Sequence, residues 1–170
     1  STGLMMLNNK DQSMDTWKRA VAGYDAIDMN SFNQHLNRVN SFNMVIGHNR
    51  SATKGSVNYN NAHPFIQGNI VGIHNGTMIT GHGIEKYHQF DTDSEAIFYN
   101  FDEYGHDDVI PKLDGAFAFV WWNTNDFKMR ILRNADRPLY YGVCEQTESI
   151  YFASEPLMLG WIAARNGVKL

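Results

Sequence analysis

The sequence predicts an α+β domain in which β-sheets pack against one another and helices cover their outer faces. Two observations lead to this fold class. Short apolar runs with β-branched or aromatic residues, bounded by Gly, Asn or Asp, recur along the chain and are dense in its last third. Amphipathic segments stand between these runs, and strands with covering helices are typical of layered domains. With 170 residues, the chain suits a single domain, residues 1–170, with a substantial core.

Seven apolar runs have the length and composition of strands. The two runs in the middle of the chain are expected to form a central pair of buried strands. The last four are expected to follow one another as a meander, because short turn sequences separate them. The predicted strands are residues 1–7, 43–48, 69–74, 115–122, 127–133, 139–144 and 149–153.

Helices are predicted from apolar periodicity and from start and stop signals. Ser13 is a candidate N-cap of the first helix, and either Asn30 or Ser31 of the second. Ser154 is a candidate N-cap of the last, with Pro156 in its first turn. The predicted helices are residues 15–21, 32–39, 93–105 and 156–166, with a short helix or turn at 107–113. The last helix is expected to place its apolar side chains on the inner side, namely Leu157, Leu159, Trp161 and Ile162.

Composition narrows the classes of function and partner. The formal net charge of −4 provides no general attraction to nucleic acid or to anionic membranes. No apolar run approaches the ~20 residues that a membrane-spanning helix needs. The single cysteine, Cys144, cannot form an internal disulfide and favours a reducing compartment. We therefore expect a cytoplasmic protein in which Cys144 is a packed core thiol.

Three polar clusters stand out in the stretch from Gly47 to Thr77. The sequence GHNR closes one apolar run, NAHPF lies in the middle, and HNGT closes the next apolar run. Polar residues gathered where strands end often form a site on a rigid support. We therefore expect the functional site in this stretch.

These clusters, with four further motifs, resemble the glutaminase domain of class II glutamine amidotransferases, which are N-terminal-nucleophile hydrolases. The motifs follow the family's order over most of the chain. The resemblance implies a four-layer αββα sandwich that hydrolyses the side-chain amide of glutamine to glutamate and ammonia, and it implies no cofactor. The matching motifs are GHNRSATKG (47–55), NAHPF (61–65), HNGT (74–77), DTDSEAI (91–97), LDGAFAFV (113–120), RNADRPLYYG (133–142) and FASEP (152–156).

The resemblance assigns residues to both ends of the amino-acid substrate. Arg50 is implied to bind the α-carboxylate of glutamine, for which a planar guanidinium offers two parallel hydrogen bonds, and Thr53 adds a loop contact. Asp93 is implied to bind the α-amino group, with Asp91 as the less favoured alternative. From the residues alone, Arg50 fits a structural salt bridge equally well, and Asp93 also fits a helix cap.

Asn75 and Gly76 resemble the family's oxyanion hole. A donor aimed at the oxygen that becomes negative lowers the barrier by ~3–4 kcal/mol, and glycine lets the backbone come close. His74, in the same motif, is assigned to the substrate site. Taken alone, an Asn-Gly pair is better interpreted as a turn.

The three histidines of the stretch raise the question of a metal. The spacing of His48, His63 and His74 fits no zinc signature, and no cysteine pair accompanies them, so no metal site is predicted. His63, which precedes Pro64, is expected to order its loop by hydrogen bonding.

The nucleophile is not evident in the sequence. The implied chemistry needs a thiol or hydroxyl whose own α-amine, titrating near ~8, acts as the base. By the resemblance, residues 1–7 correspond to the family's second strand. A first strand with the nucleophilic cysteine, a helix and an Arg-Gly loop are therefore expected in front of Ser1. Ser1, with its free amine, is the less favoured candidate nucleophile.

Two other interpretations stay open. An inactive family member that serves as a binding or assembly module is consistent with the absent nucleophile. A different amidohydrolase of the superfamily is suggested by Ser51, where the family commonly has Trp or Tyr. The expected partners are glutamine and either a separate acceptor-binding subunit or the missing N-terminal segment. No nucleic-acid or membrane partner is expected.

Overall fold

Two layers of antiparallel β-structure, packed face to face and covered by helices, make up the computed structural model, which describes residues 1–170. The strands are β1 (Thr2–Leu7), β2 (Met14–Arg19), β3 (Met44–Asn49), β4 (Phe65–Gln67), β5 (Ile70–Met78), β6 (Gly115–Asn123), β7 (Lys128–Arg133), β8 (Tyr140–Cys144) and β9 (Ser149–Ala153). The helices are α1 (Gly23–Ala26), α2 (Asn30–Leu36), α3 (Asp93–Tyr104), α4 (His106–Val109) and α5 (Pro156–Arg165), with short 3₁₀ turns at 39–41, 87–89 and 110–112.

The strands form two sheets and a separate hairpin. The first sheet has the order β2-β1-β3, and the second has the order β4-β5-β6-β7. Strands β8 and β9 pair only with each other. All these pairings are antiparallel. The predicted central pair of strands at 43–48 and 69–74 is wrong, because β3 and β5 lie in different sheets. The outer edge of β3 and the edges of the hairpin have no strand partner.

The core is divided between the two faces of the second sheet, because successive residues of a strand point to opposite faces. On β5, Ile70 and Met78 belong to a cluster under α3, whereas Val71 and Ile73 belong to a cluster shared with the first sheet. The side chain of Phe152 on β9 packs on the second cluster, so the hairpin lies in the same layer as the first sheet.

Helices complete the outer layers. Helix α3 packs on β4 and β5, α5 packs on β8 and β9, and α2 packs on β2. The order helix, sheet, sheet, helix confirms the predicted four-layer αββα sandwich. None of the helices combines the length and the apolar character that crossing a membrane requires.

The helix predicted at residues 15–21 is wrong, because this segment is strand β2. It forms a hairpin with β1 in which Trp17 lies opposite Leu4. Trp17 is buried against Phe32 of α2, with ring centroids 4.8 Å apart, and donates from Nε1 to Ser31 Oγ at 3.1 Å. Cross-strand pairing and burial of one large side chain outweigh the local helical signal.

The predicted four-strand meander is also wrong after its second strand. Strand β7 ends at Arg133, and Asn134 turns the chain back toward β6. The Asn134 side chain donates to Gly115 O at 2.7 Å and accepts from Phe117 N at 3.2 Å. These bonds to β6 divert the chain out of the second sheet, so β8 and β9 join the other layer.

The ends and the faces of two helices differ from the predictions. Helix α2 begins at Asn30 after Met29, and α5 begins at Pro156 after Glu155, without side-chain caps from the predicted residues. In α5 only Ala163 is buried, whereas Leu157 is 84% and Trp161 63% exposed. The expectation that the apolar side chains of α5 lie inside is therefore wrong for Leu157, Trp161 and Ile162. A two-stranded hairpin is too narrow to cover more than one stripe of a helix.

Candidate active site

A cavity of about 730 Å³ lies between β3, β5, β6 and the β8–β9 hairpin, beside the N-terminus of α3. Its wall brings together three segments of the chain that carry the sequence-assigned residues. Ser1 and Asp91 do not line it, although Thr2 and Gly3 do. The assigned residues in its lining are Arg50, Ser51, Thr53, His74, Asn75, Gly76 and Asp93.

A second cavity, of about 790 Å³, lies next to the first on the side of the loop after β5. Asp93 lines both cavities, and Asp91 lines only the second. The second cavity contains none of Arg50, Asn75 and Gly76. The first cavity is therefore the candidate site.

Arg50 follows the last residue of β3, and its side chain lies across the loop that it begins. The guanidinium donates to Lys54 O and, at 3.5 Å, to Ser56 O. No ion pair of the structure includes Arg50, so the structural salt bridge considered from sequence is absent. Two bonds use only part of the five N–H groups, which leaves donors for a ligand.

The loop after Arg50 is tied to the end of β5. Lys54 Nζ donates to Met78 O and to Tyr87 Oη, both at 2.8 Å. Thr53 Oγ1 lies 3.1 Å from Thr77 Oγ1. These contacts hold the Arg50 loop beside the strand that carries Asn75.

Ser1 directly precedes β1 and exchanges backbone hydrogen bonds with Arg50. The Ser1 amine donates to Arg50 O at 3.0 Å, and Arg50 N donates to Ser1 O at 2.6 Å. Ser1 Oγ is buried without a hydrogen-bond partner. Because Ser1 does not line the cavity, the structure does not bring it together with the other assigned residues.

The NAHPF loop forms part of the cavity wall and is ordered from two sides. Lys18 Nζ, on β2, donates to Ala62 O at 3.0 Å and to Pro64 O at 3.3 Å. Asn61 is 1% exposed and donates to Ser56 O at 3.1 Å, which joins this loop to the Arg50 loop.

Strand β5 continues through the HNGT motif, so the interpretation of Asn-Gly as a turn is wrong. His74 faces α3: its Nδ1 lies 2.9 Å from Ser94 Oγ, and its ring stacks on Phe119 with centroids 4.4 Å apart. Asn75 points to the opposite face of the sheet, is exposed, and lines the cavity. The amide of Asn75 forms no hydrogen bond in the structure and is available to a ligand.

Gly76 occupies a position with no space for a side chain. A Cβ here would lie 2.0 Å from Ala116 O and 2.6 Å from His74 Nε2. Because strand β6 leaves no space for a side chain at Gly76, this residue lines the cavity with its backbone alone.

Asp93 is the first residue of α3, but it is not the cap of the helix. Thr92 is the N-cap, and its Oγ1 accepts from Glu95 N at 3.2 Å. The Asp93 carboxylate accepts from Met78 N and Ser94 N, both at 2.9 Å, and the residue is 7% exposed. These bonds fix the carboxylate between α3 and β5, while each oxygen keeps a lone pair for the cavity.

Three imidazoles line the cavity, and several of their nitrogens have no partner. His48 Nδ1, both ring nitrogens of His63, and His74 Nε2 are buried without hydrogen bonds. The expectation that His63 orders its loop by hydrogen bonding is therefore wrong; Lys18 and Asn61 order it instead. No group of three or more His, Cys, Asp or Glu side chains has the geometry to hold a metal ion.

Burial keeps these imidazoles neutral near pH 7. It lowers the pKa of His48 to about 4, and repulsion between the protonated forms of His48 and His74 adds to this shift. Burial also lowers the pKa of His63 well below its usual value. Burial also lowers the pKa of His74 to about 4; the Asp93 carboxylate opposes this shift and the Arg137 guanidinium adds to it.

We expect the domain to lose stability as the pH falls from about 6.5 to about 4. In this window the histidines of the unfolded chain bind protons, whereas the buried histidines of the folded chain stay neutral. The free energy of unfolding therefore decreases as the pH decreases. For His74 the loss is up to about 3 kcal/mol. Urea unfolding between pH 7 and pH 4.5 should show a weaker pH dependence in His74→Gln than in the wild type. The exposed His88→Gln is the control, and equal slopes in all three proteins would contradict the expectation.

Sequence reasoning missed several residues that build the site. Lys18 and Lys54 act through backbone carbonyls of distant loops. Lys54 lies in the GHNRSATKG motif, whereas no motif includes Lys18. Ser94 follows Asp93 directly and is the partner of His74. Arg137 also lines the cavity, and its place in the RNADRPLYYG motif is the sequence feature that could have indicated a role for it.

Comparisons with known proteins extend the similarity beyond the motifs. Residues 48–160 match the family described as glutamine amidotransferase domain. A glutamine–fructose-6-phosphate aminotransferase of Buchnera aphidicola is 30% identical over 137 residues, which cover 71% of this chain and 22% of that protein. The glutamine-hydrolysing asparagine synthetase 1 of Bacillus subtilis is 33% identical over 82 residues, covering 47% and 12%.

A solved structure supports the fold. The glutamine phosphoribosylpyrophosphate amidotransferase of B. subtilis superimposes with a TM-score of 0.59 at 18% sequence identity, over 89% of this chain and 34% of that chain. The chain spans about a fifth of the length of the aminotransferase relative, 22%, and about a third of this structural neighbour.

Proposed function

Because the chain belongs to the class II glutamine amidotransferase domain family, we propose that its cavity binds glutamine and hydrolyses the side-chain amide to glutamate and ammonia. The observation that carries the proposal is the cavity itself. It gathers a guanidinium, a free side-chain amide and a carboxylate, on Arg50, Asn75 and Asp93, from three segments of the chain. Each group matches one charge or one polar bond of glutamine.

In this proposal the two charged ends of glutamine lie between Arg50 and Asp93. The free N–H groups of Arg50 bind the α-carboxylate in a bidentate manner, and the Asp93 carboxylate accepts from the α-ammonium group. The hydroxyl of Thr53 adds a contact beside Arg50. Both charged groups are held by backbone hydrogen bonds before the ligand arrives, which reduces the entropy lost on binding.

The amide oxygen of glutamine faces Asn75 and Gly76. When the amide carbon is attacked, negative charge develops on this oxygen, and the Asn75 amide with the Gly76 backbone N–H stabilises it. The absence of any internal partner for the Asn75 side chain favours this role. His74 supports Gly76 from the opposite face, where its ring leaves no space for a larger residue.

We infer that the nucleophile is presented by an extended segment in the groove between β3 and the hairpin. Both borders of the groove are strands without an outer partner, and residues of β3 and β9 line the cavity together. The orphan nitrogens of His48 and His63 favour a polar occupant, since buried polar groups are rarely left unpaired. Such a segment is the proposed N-terminal nucleophile strand, and the acceptor of ammonia is proposed to bind to another subunit or segment.

Arg50→Lys should weaken glutamine binding about tenfold or more, because an ammonium cannot reproduce the bidentate contact of a guanidinium. Isothermal titration calorimetry with glutamine on the wild type and the variant is the measurement. Arg130→Lys is the matched control, since Arg130, on β7, pairs with Asp126 of the preceding turn and does not line the cavity. Equal affinities of wild type and Arg50→Lys would remove Arg50 from the site.

The chain of residues 1–170 should bind glutamine measurably and hydrolyse it poorly or not at all. Its cavity holds the binding groups, whereas Ser1 and Cys144 do not line it. Ammonia release is to be assayed with Ser1 free, with Ser1→Ala, and with one residue added before Ser1.

Robust hydrolysis that both changes abolish would make Ser1 the nucleophile. Robust hydrolysis that survives both changes would contradict the N-terminal-nucleophile mechanism.

A second candidate function is that of an inactive binding or assembly module. It is favoured by the same observation, that neither Ser1 nor Cys144 reaches the cavity. Glutamine binding without hydrolysis in the longest natural form of the protein would support this alternative.

A further inference from the structure

We propose that Arg137 makes the amide end of the candidate cavity an anion subsite, which binds the γ-carboxylate of glutamate. The inference rests on the proposed function, because it takes the amino acid to lie between Arg50 and Asp93. It adds a third charged contact and a ligand, L-glutamate, that the cavity is built to hold.

Arg137 lies in the connection between β7 and β8, which is fixed against β6. Asn134 at its start donates to Gly115 O at 2.7 Å and accepts from Phe117 N at 3.2 Å. Phe117 is the residue opposite Gly76 in the ladder between β5 and β6. The connection is thus anchored at the level of the proposed oxyanion site, and Arg137 lines the cavity three residues further on.

The two arginines act at different parts of the cavity. Burial is the main cause of the lowered pKa of His74, and the charge of Arg137 lowers this pKa further, against the opposing effect of Asp93. The charge of Arg50 is felt instead by His48 and His63, on the side of β3 and the NAHPF loop. Because its connection is anchored at Phe117, opposite Gly76, Arg137 lies on the side of the cavity formed by β5 and β6, where Asn75 and Gly76 lie.

The Arg137 guanidinium has no partner within the chain. Its Nε is buried without a hydrogen bond, and no ion pair of the structure includes this residue. Buried unpaired donors are uncommon in native proteins. The Nε–H group of Arg137 is therefore free to donate to a ligand.

The balance of charge in the cavity identifies the ligand. Its charged side chains near pH 7 are Arg50, Arg137 and Asp93, because the histidines are neutral there. Glutamine, with one carboxylate and one ammonium group, matches Arg50 and Asp93 and leaves Arg137 unmatched. Glutamate carries a second carboxylate at the position of the amide and matches all three. The subsite therefore retains the product of the proposed reaction.

The test is the ratio of glutamate affinity to glutamine affinity, measured by calorimetry at pH 7.5 on the chain of residues 1–170. In the wild type, glutamate should bind at least as tightly as glutamine. In Arg137→Gln, glutamate affinity should fall about tenfold or more, as expected for a lost charged hydrogen bond, while glutamine affinity changes less than about threefold.

Two further variants separate the geometry of the guanidinium from its charge. Arg137→Lys keeps the positive charge but loses the planar guanidinium, so it should retain part of the glutamate affinity that Arg137→Gln loses. It also replaces Arg137→Gln in the test if that variant does not fold. Arg133→Gln removes an exposed charge from the same region without touching the cavity, so it controls for long-range attraction. Thermal unfolding without ligand verifies that each variant is folded.

The outcomes separate this inference from the proposed function. Glutamine binding with an unchanged glutamate-to-glutamine ratio in Arg137→Gln would overturn the subsite alone. An equal loss of affinity for glutamate and glutamine would overturn it as well. Arg137 would then contact the α-groups that both ligands share, or would only maintain the structure of the cavity wall. Failure of the wild type to bind either amino acid would overturn the proposed function and this inference with it.

Discussion

Asn75→Ala should lower kcat for glutamine hydrolysis by about 10²–10³-fold and leave KM nearly unchanged. The Asn75 amide is exposed in the cavity and makes no internal hydrogen bond, so its donor is free to meet the charge that develops on the amide oxygen. That charge exists in the transition state and hardly at all in bound glutamine. An interaction made only in the transition state changes kcat rather than KM.

The measurement uses the longest form of the protein that hydrolyses glutamine. Asn125→Ala is the matched control, because Asn125 is exposed in the turn between β6 and β7 and does not line the cavity. The free energy of unfolding of Asn75→Ala should stay within about 0.5 kcal/mol of the wild type, as for other surface changes. Wild-type kcat in Asn75→Ala would show that Asn75 has no part in the reaction.

Gly3→Ala should cause the largest loss of stability among single methyl additions in the first sheet. A Cβ at Gly3 would lie 1.7 Å from His63 O and 3.2 Å from Pro64 Cδ, so strand β1 and the NAHPF loop must separate. Overpacking of this kind costs about 1–3 kcal/mol, and here a backbone atom is the obstacle, which makes the upper end the expectation. Because the same loop forms the cavity wall, glutamine affinity should fall as well.

Gly47→Ala is the matched control for this change. Gly47 lies on β3, directly beside β1 in the same sheet, and a Cβ there would meet no heavy atom within 4 Å. Alanine is favoured over glycine within a strand by about 0.5–1 kcal/mol, so Gly47→Ala should be as stable as the wild type or slightly more stable. Equal urea midpoints for Gly3→Ala and Gly47→Ala would contradict the close contact at Gly3.

Local sequence patterns predicted the elements whose signals are local. The β-branched run before Asn75 and the start of α3 at Asp93 were placed within a few residues, and both were confirmed. Residues 15–21 were assigned to a helix because the strand character of this segment depends on pairing with β1, which no local pattern contains. Strand β4, at Phe65–Gln67, is too short to show a period.

The candidate site shows the same division. The motifs located Arg50, Asn75 and Asp93 in sequence, and the fold places all three on one cavity. Arg137 and Lys54 were not assigned a role. Lys54 bonds to residues more than twenty positions away, and Arg137 reaches the cavity only because its loop returns to the sheet. Their contributions depend on how loops return to the sheets, and the fold alone determines that.

The alternation along β5 links the core and the site in a way that constrains changes in chain length. Ile70, His74 and Met78 face α3, whereas Val71, Ile73 and Asn75 face the other layer. Inserting or deleting one residue within β5 would exchange the two faces, burying the Asn75 amide under α3 and exposing the imidazole of His74. Only changes of two residues preserve this alternation, so the spacing between the core residues of β5 and its HNGT motif is fixed in parity.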